Sequence, residues 1–342
     1  MNAKQTERRW QRGLWSSSSG WGAIVLLGWL SLFVGASAHG QTQAEPYPAT
    51  DMTLVLPYGE GGATDVLFRA IAERAQVALQ APIVVVNMPG SGATLGAQFV
   101  KESPPDGYTV LGSHQTIDLA YLSGLSNFSH EAFAPIALLT RTVNIPATYA
   151  GHSVSSASQI AEKVREQPGK LLFGVIPNST DHFFWLHFFA QAGIDASDVQ
   201  FVQYPDTGAQ VVALLGRELD FAMLNLPSAG ALFASGALVP LGAASEQRLA
   251  ALPSVPTLLE QGITLVNTTD RGLFAPLNTP PERLDVIATA FRQALEAPDL
   301  ARRLMDTHGS LVDFRPLEAY GQYLDEQYQQ LESLTQRLAF ER

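Results

Sequence analysis

The residues best suited to chemistry lie in two glycine-rich stretches. The first is Pro57-Tyr58-Gly59-Glu60-Gly61-Gly62-Ala63-Thr64-Asp65, and the second is Asn87-Met88-Pro89-Gly90-Ser91-Gly92-Ala93-Thr94. Each follows a short apolar run and leads into a helical pattern. Such a loop turns several backbone N–H groups outward and adds the positive end of a helix dipole, which suits capture of an anion. Glycine serves where the backbone takes positive φ or a ligand comes close. On their own, the same stretches read equally well as tight strand-to-helix turns.

Other chemistries fit less well. The first stretch lacks the Lys-Ser/Thr of a phosphate loop, and Thr64 stands where a dinucleotide fingerprint needs glycine. Gly90, Gly92 and Gly96 are spaced wrongly for that fingerprint too. His182 and His187 are five apart, so they face different sides of a helix, and the chain has no cysteine. No metal or other cofactor is therefore expected. No Gly-x-Ser-x-Gly elbow occurs, and Gly112-Ser113-His114 does not make one. Asp65 reads as a helix-start residue and Asp106 as a turn residue, so no catalytic pair stands out and no enzyme is predicted.

Magnitude limits what the loops can do alone. One helix N-terminus contributes about 0.3–1 kcal/mol, up to about 2 kcal/mol when partly buried. Micromolar binding needs about 8 kcal/mol. Side chains at strand ends must add hydrogen bonds, and Ser113, Thr116, Asn178, Thr180 and Asn225 are the candidates, each equally able to serve as a cap or turn former.

The elements that position these groups follow from patterning. Short apolar runs alternate with helical patterns, which predicts an α/β protein with mostly parallel sheets flanked by helices. Strands are expected at Met52–Leu56, 83–86, 108–111, 171–175, 201–204, 219–224 and 238–243, the last at an edge because of Pro240. Three helices are expected at about 281–296, 298–307 and 316–338, the last with Leu324, Tyr328, Leu331 and Leu334 on one stripe. The length of 342 residues suits two domains.

The first residues read as a targeting segment. Lys4, Arg8, Arg9 and Arg12 precede the apolar run 21–34, and Ala36-Ser37-Ala38 offers a cleavage site. Residues 1–38 are thus predicted to be a signal peptide cut after Ala38, giving a periplasmic product. The alternative is an uncleaved anchor, although the run is short against the about 20 residues a span needs. Loss of that segment removes four basic and one acidic side chain and takes the net charge from −11 to −14. So acidic a body repels nucleic acid and anionic membrane at long range. An anion would have to be held by local groups against the overall field. With no cysteine there are no disulfides, and the core alone must hold the fold.

The loops also carry a family resemblance. Pro57, Tyr58, Gly61, Gly62 and Asp65 match P-[FY]-x-x-G-G-x-x-D, and Asn87, Pro89, Gly90, Ser91, Gly92 and Gly96 match N-x-P-G-[AS]-G-x-x-x-G. The run 104–109 is an intact P-P-D-G-Y-T. Further matches are 168–171, the helix-start His182, 225–229, 252–257, and Arg271-Gly272 with Ala275-Pro276. Over about residues 47–338 the chain resembles the substrate-binding proteins of tripartite tricarboxylate transporters, the TctC or Bug family.

The resemblance implies a two-domain, type II-like periplasmic-binding-protein clamp with a cleft between the domains. Residues 46–145 and 272–342 would form one domain and 146–271 the other, with crossings near 143–150 and 269–276. It implies a usually monomeric protein that passes a small di- or tricarboxylate or aromatic acid to membrane transporter subunits; a ligand-sensing role is the alternative. Tyr58, Gly61, Gly62, Ala63 and Thr64 carry over as ligand contacts of the first loop, Ser91, Gly92 and Ala93 of the second, and Ser113 and Thr116 at the third strand. In the second domain Asn178, Thr180, His182, Tyr204 and Asn225 are the expected contacts. Leu186 and Leu224 stand where the family often has Glu and Asp, which argues against a ligand with a distal amine. Tyr58, Phe183, Phe184 and Tyr204 together suggest an aromatic or longer apolar carboxylate.

Overall fold

A computed structural model describes residues 47–337; the expected signal peptide lies outside the described residues. The runs Met-Thr-Leu-Val-Leu and Ile-Val-Val-Val-Asn form β1 (Met52–Leu56) and β2 (Ile83–Asn87), separated by α1 (Ala63–Leu79). Helix α1 buries Leu67, Phe68, Ile71, Ala72, Ala75 and Leu79, a helical stripe, and stops where Gln80 turns left-handed at φ 55°. Next come α2 (Thr94–Lys101), β3 (Thr109–Ser113), α3 (Thr116–Leu122) and the long strand β4 (Phe133–Val143).

After Asn144 the chain builds a second layer. It contains β5 (Ile145–Tyr149), α4 (Ala157–Glu166), β6 (Leu172–Val175), α5 (Thr180–Ala192), β7 (Gln200–Gln203), α6 (Thr207–Gly216), β8 (Ala222–Leu224), α7 (Leu226–Ser235) and β9 (Leu238–Pro240). Strand β10 (Thr268–Pro276) then returns to the first sheet. Helices α8 (Pro281–Glu296) and α9 (Pro298–His308), strand β11 (Ser310–Pro316) and helix α10 (Leu317–Arg337) follow.

The first sheet has the order β11-β4-β10-β3-β1-β2. Only β2-β1-β3 is parallel; β10 runs antiparallel to β3 and β4, and β11 antiparallel to β4. The expectation of mostly parallel sheets is corrected here. The chain leaves along β4 and returns along β10, so the two strands lie side by side in opposite directions, with Thr268 opposite Val143. In the second layer β8-β5-β9 is antiparallel and β6-β7 is parallel, and a bridge between Phe173 and Phe221 links the two groups. Strand β9 is an edge, as Pro240 requires.

Period-two alternation divides the core. Leu54, Leu56, Val110 and Leu273 face α1 and α8, while their neighbours Val55, Leu111 and Phe274 face Tyr320, Tyr323 and Leu324 of α10. The second layer has its own core, in which Phe184, Trp185, Phe188 and Phe189 of α5 pack around Phe173 and Phe221. Helix α5 is apolar nearly all round because it is buried nearly all round.

Candidate functional site

Loop one, residues 57–62, joins β1 to α1. Its shape is set by Asp65, one helical turn in. Asp65 Oδ2 accepts Gly61 N–H at 2.9 Å, and Oδ1 accepts Arg69 Nε at 2.8 Å and Asn87 Nδ2 at 2.9 Å. Asn87 also donates to the Tyr58 carbonyl at 3.0 Å, so the last residue of β2 is tied to loop one. Gly61 has φ 76°, which only glycine adopts without strain, whereas Gly62 has φ −69°. At Gly62 the constraint is close approach: a Cβ there would lie 3.2 Å from the Gly59 carbonyl oxygen. The Gly61 N–H is consumed by Asp65. The first intrahelical bond is Val66 N to Gly62 O, and Ala63, Thr64 and Asp65 N–H have no partner among the described residues. These three donors project from the start of a 17-residue helix.

Loop two is more strained. Ser91, Gly92 and Ala93 form a short 3-10 turn with φ of 49°, 61° and 73°. Left-handed φ at a non-glycine residue is worth about 1–3 kcal/mol of strain, and two of the three are not glycine. The turn presents the backbone of Ser91, Gly92 and Ala93 side by side, and none of their N–H groups has a partner among the described residues. Thr94 Oγ1 donates to the Ser91 carbonyl at 2.8 Å and fixes the turn from behind.

On the other side of loop one from loop two lies the end of β3. Tyr58 OH and Ser113 Oγ are 2.9 Å apart, and the Tyr58 ring stacks on His114 with centroids 4.6 Å apart. Thr116 Oγ1 lies 3.0 Å from His114 Nδ1. Ser113 and Thr116 are buried, and their hydroxyls hold Tyr58 and His114. Burial pushes the Tyr58 hydroxyl up to about 12 and holds His114 well below its usual value, with Arg271 adding to the second effect. Both groups are neutral near pH 7.

Arg271, read from sequence only as part of a matching motif, is the largest addition. It lies on β10 beside β3 and is 2% exposed. Its Nε donates to Thr64 Oγ1 at 3.0 Å, and Nη1 donates to Thr142 Oγ1 at 2.7 Å and more weakly to the Thr269 carbonyl. No carboxylate among the described residues lies within ion-pair distance of it. Burial lowers its pKa to about 10, leaving it charged at neutral pH. The sequence signal was a lone arginine before the apolar run Gly272-Leu273-Phe274-Ala275.

The second-layer loops sit opposite. A Cβ at Gly92 would lie 4.0 Å from the Pro177 carbonyl oxygen, and one at Gly59 would lie 4.0 Å from Asp206 Oδ2. The loop before α5 is held by Asp181, which accepts from Ile176 N–H at 2.9 Å, His182 N–H at 2.8 Å, Ser179 Oγ and Gln210 Nε2. Asn178 adopts φ 59° and its N–H meets His182 Nδ1 at 3.4 Å. Thr180 opens α5. Burial lowers His182 to about 4. Tyr204 packs on the cluster that includes Leu214 and Leu219, and its hydroxyl is pushed up by burial and by Glu218. Asn225 forms a capping box with Ser228 at the start of α7, so its side chain is committed to the helix end. Phe184 is fully buried in the core of the second layer and cannot form an aromatic wall for a ligand.

An open groove of about 480 Å³ lies between Leu226–Leu232 and the Thr307-His308 end of α9. It shares no residue with the loops. Among the described residues no cluster of His, Cys, Asp or Glu could hold a metal ion, and no helix is long and apolar enough to cross a membrane.

Helix starts and strained turns of the two layers thus come within about 4.0 Å of one another. The family described as "Tripartite tricarboxylate transporter family receptor" matches residues 67–339, and the chain belongs to it. A Cupriavidus necator protein described as "UPF0065 protein in gbd 5'region" is 30% identical over 286 residues, spanning 79% of this chain and 82% of its own. The solved periplasmic binding protein BugD superposes with a TM-score of 0.80 at 23% identity, covering 86% of this chain and 99% of its own, and shares the two-domain fold. MatC from Rhodopseudomonas palustris, solved with bound malate, gives a TM-score of 0.77 at 26% identity over 84% of this chain and 99% of its own.

Proposed function

We propose that this protein is a periplasmic receptor that captures a small organic carboxylate in a cleft between two domains and passes it to the membrane subunits of a tripartite tricarboxylate-type transporter. The observation that carries the reading is the pair of donor sets. Unpartnered N–H groups of Ala63, Thr64 and Asp65 and of Ser91, Gly92 and Ala93 offer hydrogen bonds in a strongly acidic chain. Malate bound to MatC supports a carboxylate. Tyr58 supplies a neutral hydroxyl and ring at the same place. Asn178, Thr180 and His182 border the ligand from the second domain.

In this reading 46–145 and 272–342 form one domain and 146–271 the other. The hinge is the neck where Asn144 Nδ2 donates to Asn267 Oδ1 at 2.6 Å and Thr269 Oγ1 donates to Asn144 Oδ1 at 3.0 Å. Closure expels water and strengthens each polar contact. The chain is exported, cut after Ala38, and acts as a monomer.

A thermal-shift screen tests the reading. Aliphatic di- and tricarboxylates, amino acids and aromatic acids are offered to residues 39–342. A ligand at 100 times its dissociation constant adds about 2.7 kcal/mol of stability. Shifts confined to carboxylates are expected, and Gly62→Asp should abolish them without loss of the folded state. Shifts from cations or neutral sugars instead would sink the reading.

A further inference from the structure

The six-stranded sheet holds, on β10, a buried positive charge that makes no ion pair with any carboxylate among the described residues, Asp270 acting on it only at longer range. Arg271 is 2% exposed, and its hydrogen bonds go to two threonine hydroxyls and one carbonyl, all neutral. The adjacent acid, Asp270, is engaged elsewhere: its carboxylate accepts from Arg141 Nε at 3.3 Å and from Tyr323 OH. Successive strand residues point to opposite faces of the sheet, so Asp270 and Arg271 are separated by the backbone itself. A buried, unpaired charge is one of the most expensive features a fold can carry.

One nitrogen remains free. Nη2 has no hydrogen-bond partner among the described residues, and the sealed polar atoms left unsatisfied are Thr140 Oγ1, Trp185 Nε1 and Gln210 Oε1. Nη2 therefore keeps a small accessible area. In a guanidinium, Nη2 shares an edge with Nε, and here Nε donates to Thr64. The free edge thus opens beside Thr64, whose own backbone N–H is unpartnered, and near the Tyr58 and His114 rings.

We propose that Arg271 is the specificity-determining cation of the site: its Nη2, with the N–H groups of Ala63 and Thr64, takes the ionised carboxylate of the ligand, which supplies the missing counter-ion. This rests on the carboxylate reading above and adds a requirement for formal negative charge. Backbone donors alone accept a neutral amide or hydroxyl oxygen; a buried guanidinium favours an anion.

The test uses residues 39–342, wild type and with Arg271→Gln, Arg271→Met or Arg271→Lys, titrated calorimetrically with malate, citrate and benzoate. For each acid the wild type binds, Arg271→Gln should weaken affinity by about 10- to 100-fold, and Arg271→Lys should lose less. Without ligand, Arg271→Met should melt at or above the wild-type temperature, because an uncompensated charge has gone. An acid that binds wild type and Arg271→Gln equally overturns this assignment and leaves the receptor reading standing. Failure of both neutral variants to fold would make Arg271 a structural post and also overturn it. Silence of the wild type towards all three acids overturns the carboxylate reading, and the assignment with it.

Discussion

Loop one and the loop before α5 are built on one plan with different electrostatics. In each, an aspartate in the first turn of the following helix reaches back to a loop N–H: Asp65 to Gly61 and Asp181 to Ile176. Asp65 also meets a cation, Arg69, and is stitched through Asn87 to the neighbouring strand. Asp181 is buried among neutral donors only, and burial pushes its carboxyl up despite bonds from Ser179, Gln210, Ile176 and His182. The charged staple gives a rigid cradle tied into its sheet. The neutral one gives a loop whose hold on itself depends on desolvated hydrogen bonds and on pH.

The contrast can be broken most forcefully at Asp181. Asp181→Ala strands four donors and should destabilise the protein by about 3 kcal/mol, read by urea denaturation. Asp65→Ala strands fewer, since Arg69 is 41% exposed and can turn to water; about 2 kcal/mol is expected. Equal losses would mean that the two staples do not differ as described.

Acid should act next. The folded-state value of His182, about 4, lies below its ordinary 6.5. Its contribution is therefore complete above pH 6.5 and is lost as pH falls towards 4. Asp181 has the opposite slope: its folded-state pKa is raised above 3.8, so its contribution declines as pH rises through that higher value. Melting curves of wild type and His182→Gln over pH 4–7 separate the two, and the variant should lose the acid-side decline. The smallest effect should come from Arg69→Met, which leaves Asp65 with neutral partners like those of Asp181. A change of about 1 kcal/mol or less fits a half-exposed pair, and a larger one would show that the cation, not the amide network, holds loop one.

Much of the first sheet's parallel half is legible in the sequence. The β-branched run 83–86 and the glycine-rich loops announce strand and turn through local chemistry alone, and the order of motifs carried the family. Strand β11 was missed: Leu311, Val312 and Phe314 alternate only loosely with polar residues, and the strand pairs with β4 through a bulge. Helices α3, α6 and α7, of 7, 10 and 10 residues, are too short for their periodicity to stand out and are not predicted. The crossings expected near 143–150 and 269–276 fall on β5 and β10, and β4 is not predicted, because pairing and direction within a sheet are tertiary properties. Asp65 was seen as a helix-start residue, yet its bonds to Gly61 and Asn87 need three-dimensional neighbours. Arg271 was hidden for the same reason, since a strand arginine looks exposed until its face of the sheet is known.

The neck at Asn144 and Asn267 has a consequence for the chain as a polymer. The segment between them departs and rejoins at points one hydrogen bond apart. Such a segment can be lifted out or transplanted with little entropy needed to bring its ends together. Residues 145–266, expressed alone with a short glycine bridge joining the ends, would present the Asp181 loop without loop one, so that the two loops could be compared separately.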